Sequence, residues 1–418
     1  MSKPINLAIL SDSVDVGSGL ARITRDLADR IYKSNLGVRL ATIGFNGCGS
    51  ADYPYLQYQL GPFSDSRDIP KLMNAWLDFT KGEPGILLTI YDLHRLEALR
   101  FPEQYGQPWL EFLGGVNLAL WGYFPIDSHT PKGLTAQTGE ILRAFDKVIA
   151  YGPYGQGVIE KAISHLSTPI KQDQMLKALP HGVDGKVFKP QGRTGRKYLQ
   201  REIKLEVLGG TRMLEVTDSD LLLGVNATNQ ARKDWGSTFE IFNELVKTNS
   251  NWKMWLHVNK LFNYWNIPDL VEQFDLINRV FITQPPIEDS VLAELYSACD
   301  VTLANGLGEG FGYPIAESMS CGTPCVHTKF AGGVDLYSEA TKALLPEPKS
   351  LRLDGAYSFY RPVIDVDSTA ECAKMASDAF WRNRSLDSAK RLEWGQVWPL
   401  WKQHLELLLK DYRAKERV

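Results

Sequence analysis

Cysteine is scarce in this chain: there are five among 418 residues, Cys48, Cys299, Cys321, Cys325 and Cys372. They are too few and too scattered for a disulfide framework. Cys321 and Cys325 are separated by Gly-Thr-Pro, with no second pair to complete a zinc site. The seven histidines are equally dispersed, so no metal is expected. No apolar run reaches the roughly eighteen residues of a spanning helix. The opening Met1 to Ser13 stretch turns polar too early for a secretion signal, and a cytoplasmic location is expected. Charge of one sign is lacking too: 46 Lys and Arg against 49 Asp and Glu leave a formal charge of -3. That balance gives no support to a nucleic-acid partner held by a broadly basic surface. Internal repeats and low-complexity runs are absent.

What is present is length and alternation. The chain exceeds twice the commonest domain size, and 44% hydrophobic with 23% charged residues is ordinary globular composition. Short apolar runs at Asn6 to Leu10, Val38 to Ile43, Ile86 to Ile90, Val116 to Leu120, Val148 to Tyr151 and Leu176 to Leu179 read as buried parallel strands with helices between most of them. After Phe188-Lys189-Pro190 the chain turns polar and basic to about Gly210, a connection with some helix near Tyr198 to Leu205. A second series begins at Leu221 to Val225 and runs through strands at Lys253 to Val258, Val280 to Thr283, Val301 to Ala304 and Cys325 to His327. The fold class is therefore α/β, with two Rossmann-like domains and a cleft between them. Residues 1–190 form the first, 191–385 the second, and 386–418 a helical segment returning toward the first. That last segment carries an apolar stripe with Trp394, Trp398 and Trp401, suited to packing. Nearby Lys402, Lys410, Arg413 and Lys415 leave peripheral membrane contact open.

Chemistry concentrates in Asn305-Gly-Leu-Gly-Glu-Gly-Phe-Gly-Tyr-Pro-Ile-Ala-Glu317, which follows a strand and opens a helix. Its glycines let backbone amides approach a ligand, and Pro314 suits the first turn of the helix whose free amides receive phosphate or sugar oxygens. Glu309 and Glu317 are acceptors for sugar or ribose hydroxyls.

The string resembles the Glu-Gly-Phe-Gly-x-Pro-x-x-Glu signature of retaining GT-B glycosyltransferases, the glycogen-synthase-like and mannosyltransferase-like family. Leu179-Pro-His-Gly-Val-Asp184 and Gly17-Ser18-Gly19 resemble its interdomain and first-domain loops. The resemblance implies a nucleotide-sugar donor, UDP- or GDP-linked, bound mainly by the second domain. It further implies an acceptor on the first, retention of anomeric configuration, and no catalytic metal or separate cofactor. Carried over, Glu309 touches the transferred sugar, Glu317 the ribose, and Phe311 and Gly312 line the sugar and phosphate site. Gly17 and Gly19 approach the donor phosphates, and Lys233 holds the diphosphate. The family's Arg five residues before that lysine is here Thr228, with Arg232 the substitute. Thr283 to Pro286 belongs to the wall facing the base.

First-domain residues are less sharply marked. Asp127 is the leading group to line the cleft and serve the acceptor; His129, Asp92 and His94 are further candidates. His181 reads as an interdomain hydrogen-bonding residue, and His257 with Lys260 as a second approach to the donor. The implied reaction is transfer of a sugar to a hydroxyl acceptor, a glycan first among several. A catalytically silent nucleotide-sugar-binding protein, or an epimerase or phosphorylase of the same fold, stays open, as does the oligomeric state.

Overall fold

The computed structural model describes residues 3–47, 52–62, 69–99, 118–166, 170, 173–204, 211–355 and 358–415. The chain divides into two units, Met1–His181 with Val397–Val418, and Gly182–Gln396. The division falls at His181 because the Tyr123 hydroxyl sits 3.0 Å from His181 Nδ1, whereas Val183 exchanges backbone hydrogen bonds with Leu392 and Trp394 of the second unit.

The first unit is built on a six-stranded sheet of β1 (Ile5–Asp12), β2 (Val38–Phe45), β3 (Leu56–Gln59), β4 (Gly85–Thr89), β5 (Leu118–Phe124) and β6 (Lys147–Ala150). The order is β3-β2-β1-β4-β5-β6, every pair parallel. All eight residues of β1 are buried, as a central strand covered on both faces requires. Around it stand α1 (Gly19–Lys33), α2 (Ile69–Thr80), α3 (Ala136–Ile141) and α4 (Pro153–Ile163). In α1, Ile23, Leu27 and Ile31 recur at helical spacing and are buried.

The second unit repeats the plan with β9 (Leu221–Asn226), β10 (Trp252–His257), β11 (Val280–Thr283), β12 (Val301–Leu303) and β13 (Cys325–Val326), in the order β11-β10-β9-β12-β13. Its helices are α5 (Trp235–Thr248), α6 (Ile267–Gln273), α7 (Asp289–Ala298), α8 (Tyr313–Ser320), α9 (Val366–Ala376) and α10 (Phe380–Lys390). Both units are thus Rossmann-like, and in each the strand order reverses beside the first strand of the series.

Three expectations are corrected. Leu176 to Leu179 is no strand: beyond one bridge at Met175, Leu176 and Leu179 donate to the Val148 and Ala150 carbonyls of the edge strand β6 without forming a ladder. Tyr198 to Lys204 is not helical. A 3-10 turn ends at Tyr198, and β7 (Gln200–Lys204) pairs with β8 (Thr211–Glu215); Leu205 lies outside the described residues. Nor is this basic stretch a bare connection. Arg193 and Arg196 reach the buried carboxylate of Asp300 at 2.9 and 3.0 Å, and Asp300 also accepts from the Leu222 amide at 2.8 Å. The ion pairs tie the stretch to the second unit, since a buried carboxylate needs such partners. Unforeseen altogether is the antiparallel hairpin of β14 (Ser350–Asp354) and β15 (Phe359–Val363). Val116, Asn117 and Cys48 fall outside the described residues.

Helix α11 (Trp394–Lys415) runs through Pro399, and Trp394, Val397, Trp401, Leu405, Leu408 and Leu409 are buried. Most of the stripe that left membrane contact open is taken up by packing within the protein, with Trp398 partly buried and Leu400 exposed. Among the described residues no helix is long and apolar enough to cross a membrane. Trp401 anchors the first-unit part of the helix. Its indole Nε1 donates to the Pro180 carbonyl at 2.8 Å and its ring meets Tyr123 edge-on, 4.8 Å between centroids. Trp401→Ala is expected to destabilise the first unit by about 3–5 kcal/mol, from lost burial and the cavity left behind. Urea denaturation followed by tyrosine and tryptophan signals checks this; an unshifted midpoint contradicts it.

Candidate functional site

In open parallel sheets ligands gather outside the carboxyl ends of the strands, where the strand order reverses. In the second unit that point lies between β9 and β12, whose loops carry Arg232 with Lys233 and Gly306 to Gly312. The first of these loops is firmly held. Buried Asn229 donates through its amide to the carbonyls of Lys260 (3.0 Å) and Trp265 (2.7 Å), and accepts from the Trp265 amide (2.9 Å). A 3-10 turn, Ala231–Lys233, then points the two cations toward the second loop. Asp234, at φ 42, caps α5 by accepting from the Ser237 amide at 3.4 Å, and it also accepts from the Ser237 hydroxyl at 2.7 Å.

The two loops interlock. The Leu307 amide donates to the Arg232 carbonyl at 2.7 Å, and Arg232 Nη1 donates to the Gly308 carbonyl at 2.8 Å. Gly306 eases this closeness: a Cβ there would stand 3.2 Å from Glu309 Oε1 and 3.3 Å from the Arg232 carbonyl, tighter than an ordinary contact. Lys233 Nζ forms a direct ion pair with Glu309 Oε1, and Arg232 Nη1 lies 3.5 Å from Glu309 Oε2. Lys233 and Glu309 are both largely buried, while Arg232 is more open. Burial pushes the Glu309 carboxyl upward, but the Lys233 ammonium and Arg232 guanidinium outweigh it and hold the group down at about 2. Glu309 is therefore an anion under ordinary conditions, already committed to two cations.

Helix α8 opens beside this pair. Gly312, at φ 97, sits at its N-cap in the left-handed region, and Pro314 occupies its first turn. Phe311 is buried, its ring against Tyr313. Lys233, Asn305, Glu309, Gly312, Asn226 and Ala227 line one shared pocket. Glu317 is buried behind it, accepting from the Tyr296 hydroxyl at 3.1 Å, and that hydroxyl accepts from the Asn226 amide at 2.7 Å. Nothing in the local sequence announces the Asn226–Tyr296–Glu317 relay, because Tyr296 reads as an ordinary buried helix residue. Asn305 was also passed over. Its Oδ1 accepts from the Thr238 hydroxyl at 2.9 Å, while its buried Nδ2 has no partner among the described residues.

Thr283 is engaged internally. Its hydroxyl accepts from Trp255 Nε1 at 2.9 Å and is 2.9 Å from His257 Nδ1. Burial drives His257 down to about 4, so the imidazole is neutral near pH 7. No cation occupies position 228; the Thr228 carbonyl accepts from Trp235 Nε1 at 3.3 Å.

The first unit has its own constellation at the carboxyl end of β1. Asp12 is buried and accepts from the Ser18 hydroxyl (2.6 Å), the Asn46 amide (2.9 Å) and the Tyr91 hydroxyl (2.9 Å). Ser18 also caps α1 by accepting from the Ala21 amide at 3.1 Å, which fixes Gly17 and Gly19 on either side of it. Asp12 was missed by sequence reasoning, although an aspartate closing a largely apolar strand is the signal that marks it. Asp127 is half-buried on the segment after β5. His129 pairs with the Tyr154 hydroxyl at 2.8 Å, and burial lowers its pKa. His181 is wholly buried beside Tyr123, its pKa pushed well down by that burial; the partner thus belongs to its own unit. Asp92 and His94 are half-buried just beyond β4. No group of three or more His, Cys, Asp or Glu suited to a metal occurs among the described residues.

A family model described as "Glycosyl transferases group 1" matches residues 231–352, the span from Arg232 and Lys233 through α8 to the start of the hairpin. The chain resembles the solved structure of HepE from Anabaena in complex with UDP and glucose. Identity is 15%, coverage 97% of this chain and 100% of that one, and TM-score 0.67. It similarly resembles sucrose-phosphate synthase from Thermosynechococcus elongatus, at 16% identity, 98% coverage of each chain and TM-score 0.67. A D-inositol 3-phosphate glycosyltransferase of Thermomonospora curvata is 45% identical over 49 residues, 12% of this chain and 11% of that protein. The two Rossmann-like domains are those of the GT-B fold.

The Glu309 ion pairs carry a pH signature. A carboxyl held at about 2 against an ordinary 4.5 contributes its full stabilisation above about 4.5 and loses it as the pH falls toward about 2. Glu309→Gln removes that titration and leaves Lys233 without its buried partner, costing about 3 kcal/mol near neutral pH. Between about pH 5 and about pH 3 the native chain is then expected to lose stability faster than the variant. Parallel stability curves from denaturant titrations at several pH values contradict the pairing.

Proposed function

We propose that this chain is a retaining glycosyltransferase that moves a sugar from a nucleotide-sugar donor, UDP- or GDP-linked, onto a hydroxyl acceptor, with a glycan the first candidate. The observation that carries the reading is the meeting of Lys233 and Glu309 at the second unit's strand-order reversal, beside the N-terminus of α8. Binding of UDP and glucose by HepE, as its structure is described, supports the choice of donor class. In this reading 191–385 is the donor domain, 1–190 the acceptor side, and the C-terminal segment a part of the scaffold. The four free, buried thiols Cys299, Cys321, Cys325 and Cys372 suit a reducing cytoplasm.

Each residue has a defined task. As the bond from the anomeric carbon to the diphosphate oxygen breaks, the electron pair leaves with the diphosphate. Lys233, assisted by Arg232, stabilises that growing charge, which removes the need for a metal. Backbone amides at Phe311 and Gly312 receive sugar and phosphate oxygens. Glu317 accepts from ribose hydroxyls, Thr283 stands toward the base, and Gly17 and Gly19 approach the phosphates. Glu309 positions the transferred sugar. Its charge is so well compensated that it makes a poor nucleophile, which favours donor-assisted retention over a covalent glycosyl-enzyme. The acceptor proton passes to the departing phosphate oxygen, and Asp127 orients the acceptor.

Thr228, standing where a second cation is expected, favours one other reading: a protein of the same fold that binds the donor without transferring it. Incubation with a panel of nucleotide sugars and broad acceptors separates the two, by appearance of glycosylated product or by binding alone. Lys233→Ala is expected to lower turnover about a hundredfold, roughly 3 kcal/mol of transition-state stabilisation. Glu317→Gln is expected to weaken the bare nucleoside diphosphate itself, read by calorimetry. Normal turnover and binding in both variants overturn the assignment.

A further inference from the structure

Asn305 lies just beyond β12 and is 2% exposed. Its Oδ1 accepts from the Thr238 hydroxyl, in the first turn of α5, at 2.9 Å. Its Nδ2 is buried as well and has no partner among the described residues. An amide donor shut away in this manner weakens the free fold, since water bonds it in the unfolded chain. Holding Thr238 needs only an acceptor, so that anchor does not account for the other half of the amide. The surroundings of Asn305 suit a ligand. It lines a pocket with Lys233, Glu309 and Gly312, whose cavity volume is about 10 Å³, near the least that holds one oxygen. Glu309 lies close by, for a Cβ on Gly306, the next residue along, would stand 3.2 Å from Glu309 Oε1.

We infer that Asn305 is a specificity-determining residue of the donor site: its Nδ2 donates to one hydroxyl oxygen of the transferred sugar, and that hydroxyl donates to Glu309. The inference rests on the glycosyltransferase reading above and names within it the group that reads the sugar. A hydroxyl suits both neighbours, because it accepts from an amide while donating to a carboxylate. A carboxylate oxygen already paired with a cation keeps a lone pair for it. The cavity sets the size of what enters: one oxygen fits, and the sugar ring stays outside. Turning of Glu309 from Gly306 toward the sugar opens the way to Nδ2. A buried donor with one intended partner discriminates sharply, because a sugar lacking that hydroxyl leaves the amide unanswered away from water.

Reading a hydroxyl and merely propping α5 make different demands on the side chain. The probes are UDP-glucose and GDP-mannose, each with its series of monodeoxy analogues, and bare uridine and guanosine diphosphate. All are titrated calorimetrically into the full chain. The native chain is expected to bind one of the two donors more tightly than its bare diphosphate, and to lose about thirtyfold when one particular hydroxyl is removed. Asn305→Ala lacks the amide donor. Asn305→Leu combined with Thr238→Val lacks it too, keeps the bulk of the side chain and leaves no orphaned hydroxyl at Thr238. In whichever of these melts with the native chain, the loss on removing that hydroxyl falls to about threefold, with the bare diphosphate bound within about twofold of native. Undiminished discrimination in the variant overturns the inference. So does equal weakening of the bare diphosphate and every sugar form, which marks a purely structural role. A native chain indifferent to every deoxy form, or gaining nothing from either sugar, overturns the inference and leaves donor binding standing. A native chain that binds neither diphosphate nor either donor overturns the glycosyltransferase reading itself, and this inference with it.

Discussion

A carboxylate taken out of water must be met by cations or lose its charge, and Glu309 is met by two. Much of the second unit's local construction serves that requirement. The Asn229 staple holds the cation-bearing loop, the Leu307 amide ties that loop to its neighbour, and Gly306 permits the approach. The same compensation suits a donor site. An ammonium that neutralises a carboxylate in the free protein is already desolvated, and a diphosphate presents it with a stronger anion. On the proposed donor-binding reading, the pair is a preformed charge arrangement in which Lys233 turns to phosphate and Glu309 is released toward hydroxyl groups.

The repetition of one strand order in both units explains why the candidate residues cluster where they do. β1 and β9 are each flanked by the second and fourth strands of their series, so each unit has one point where adjacent loops diverge. In the second unit that point holds Lys233 and Glu309; in the first it holds Asp12, Ser18 and Tyr91 in one hydrogen-bonded group. Asp12 there fixes the glycine turn at the head of α1, an order that a short polar run does not display in sequence.

Legibility followed the physical range of the forces involved. Most of the parallel strands were readable because burial on both faces leaves continuous apolar runs, and α8 because proline and glycine punctuate its start; the edge strand β3, Leu-Gln-Tyr-Gln and only partly buried, was not. Lys233 and Glu309 were each readable through the family-like string, but their direct pairing was not, since 76 positions separate the two residues. Other features rest on pairings that local pattern does not encode. The β7–β8 hairpin replaced an expected helix because Arg201 and Glu202 find cross-strand partners in Leu214 and Met213, and the nearby arginines find Asp300. The β14–β15 hairpin has an exposed first strand with no buried face to create alternation, so nothing in its composition announced it. Glu317 was recognised, but its link through Tyr296 to Asn226 depends on α7 lying beside α8.

The most direct test of the account is a crystal structure of the chain with an intact, non-hydrolysable UDP- or GDP-sugar. The account predicts the diphosphate against Lys233, the sugar hydroxyls within hydrogen-bonding distance of Glu309, and the ribose at Glu317. A donor bound elsewhere, with the Lys233–Glu309 pair intact and the β9–β12 loops empty, would contradict it.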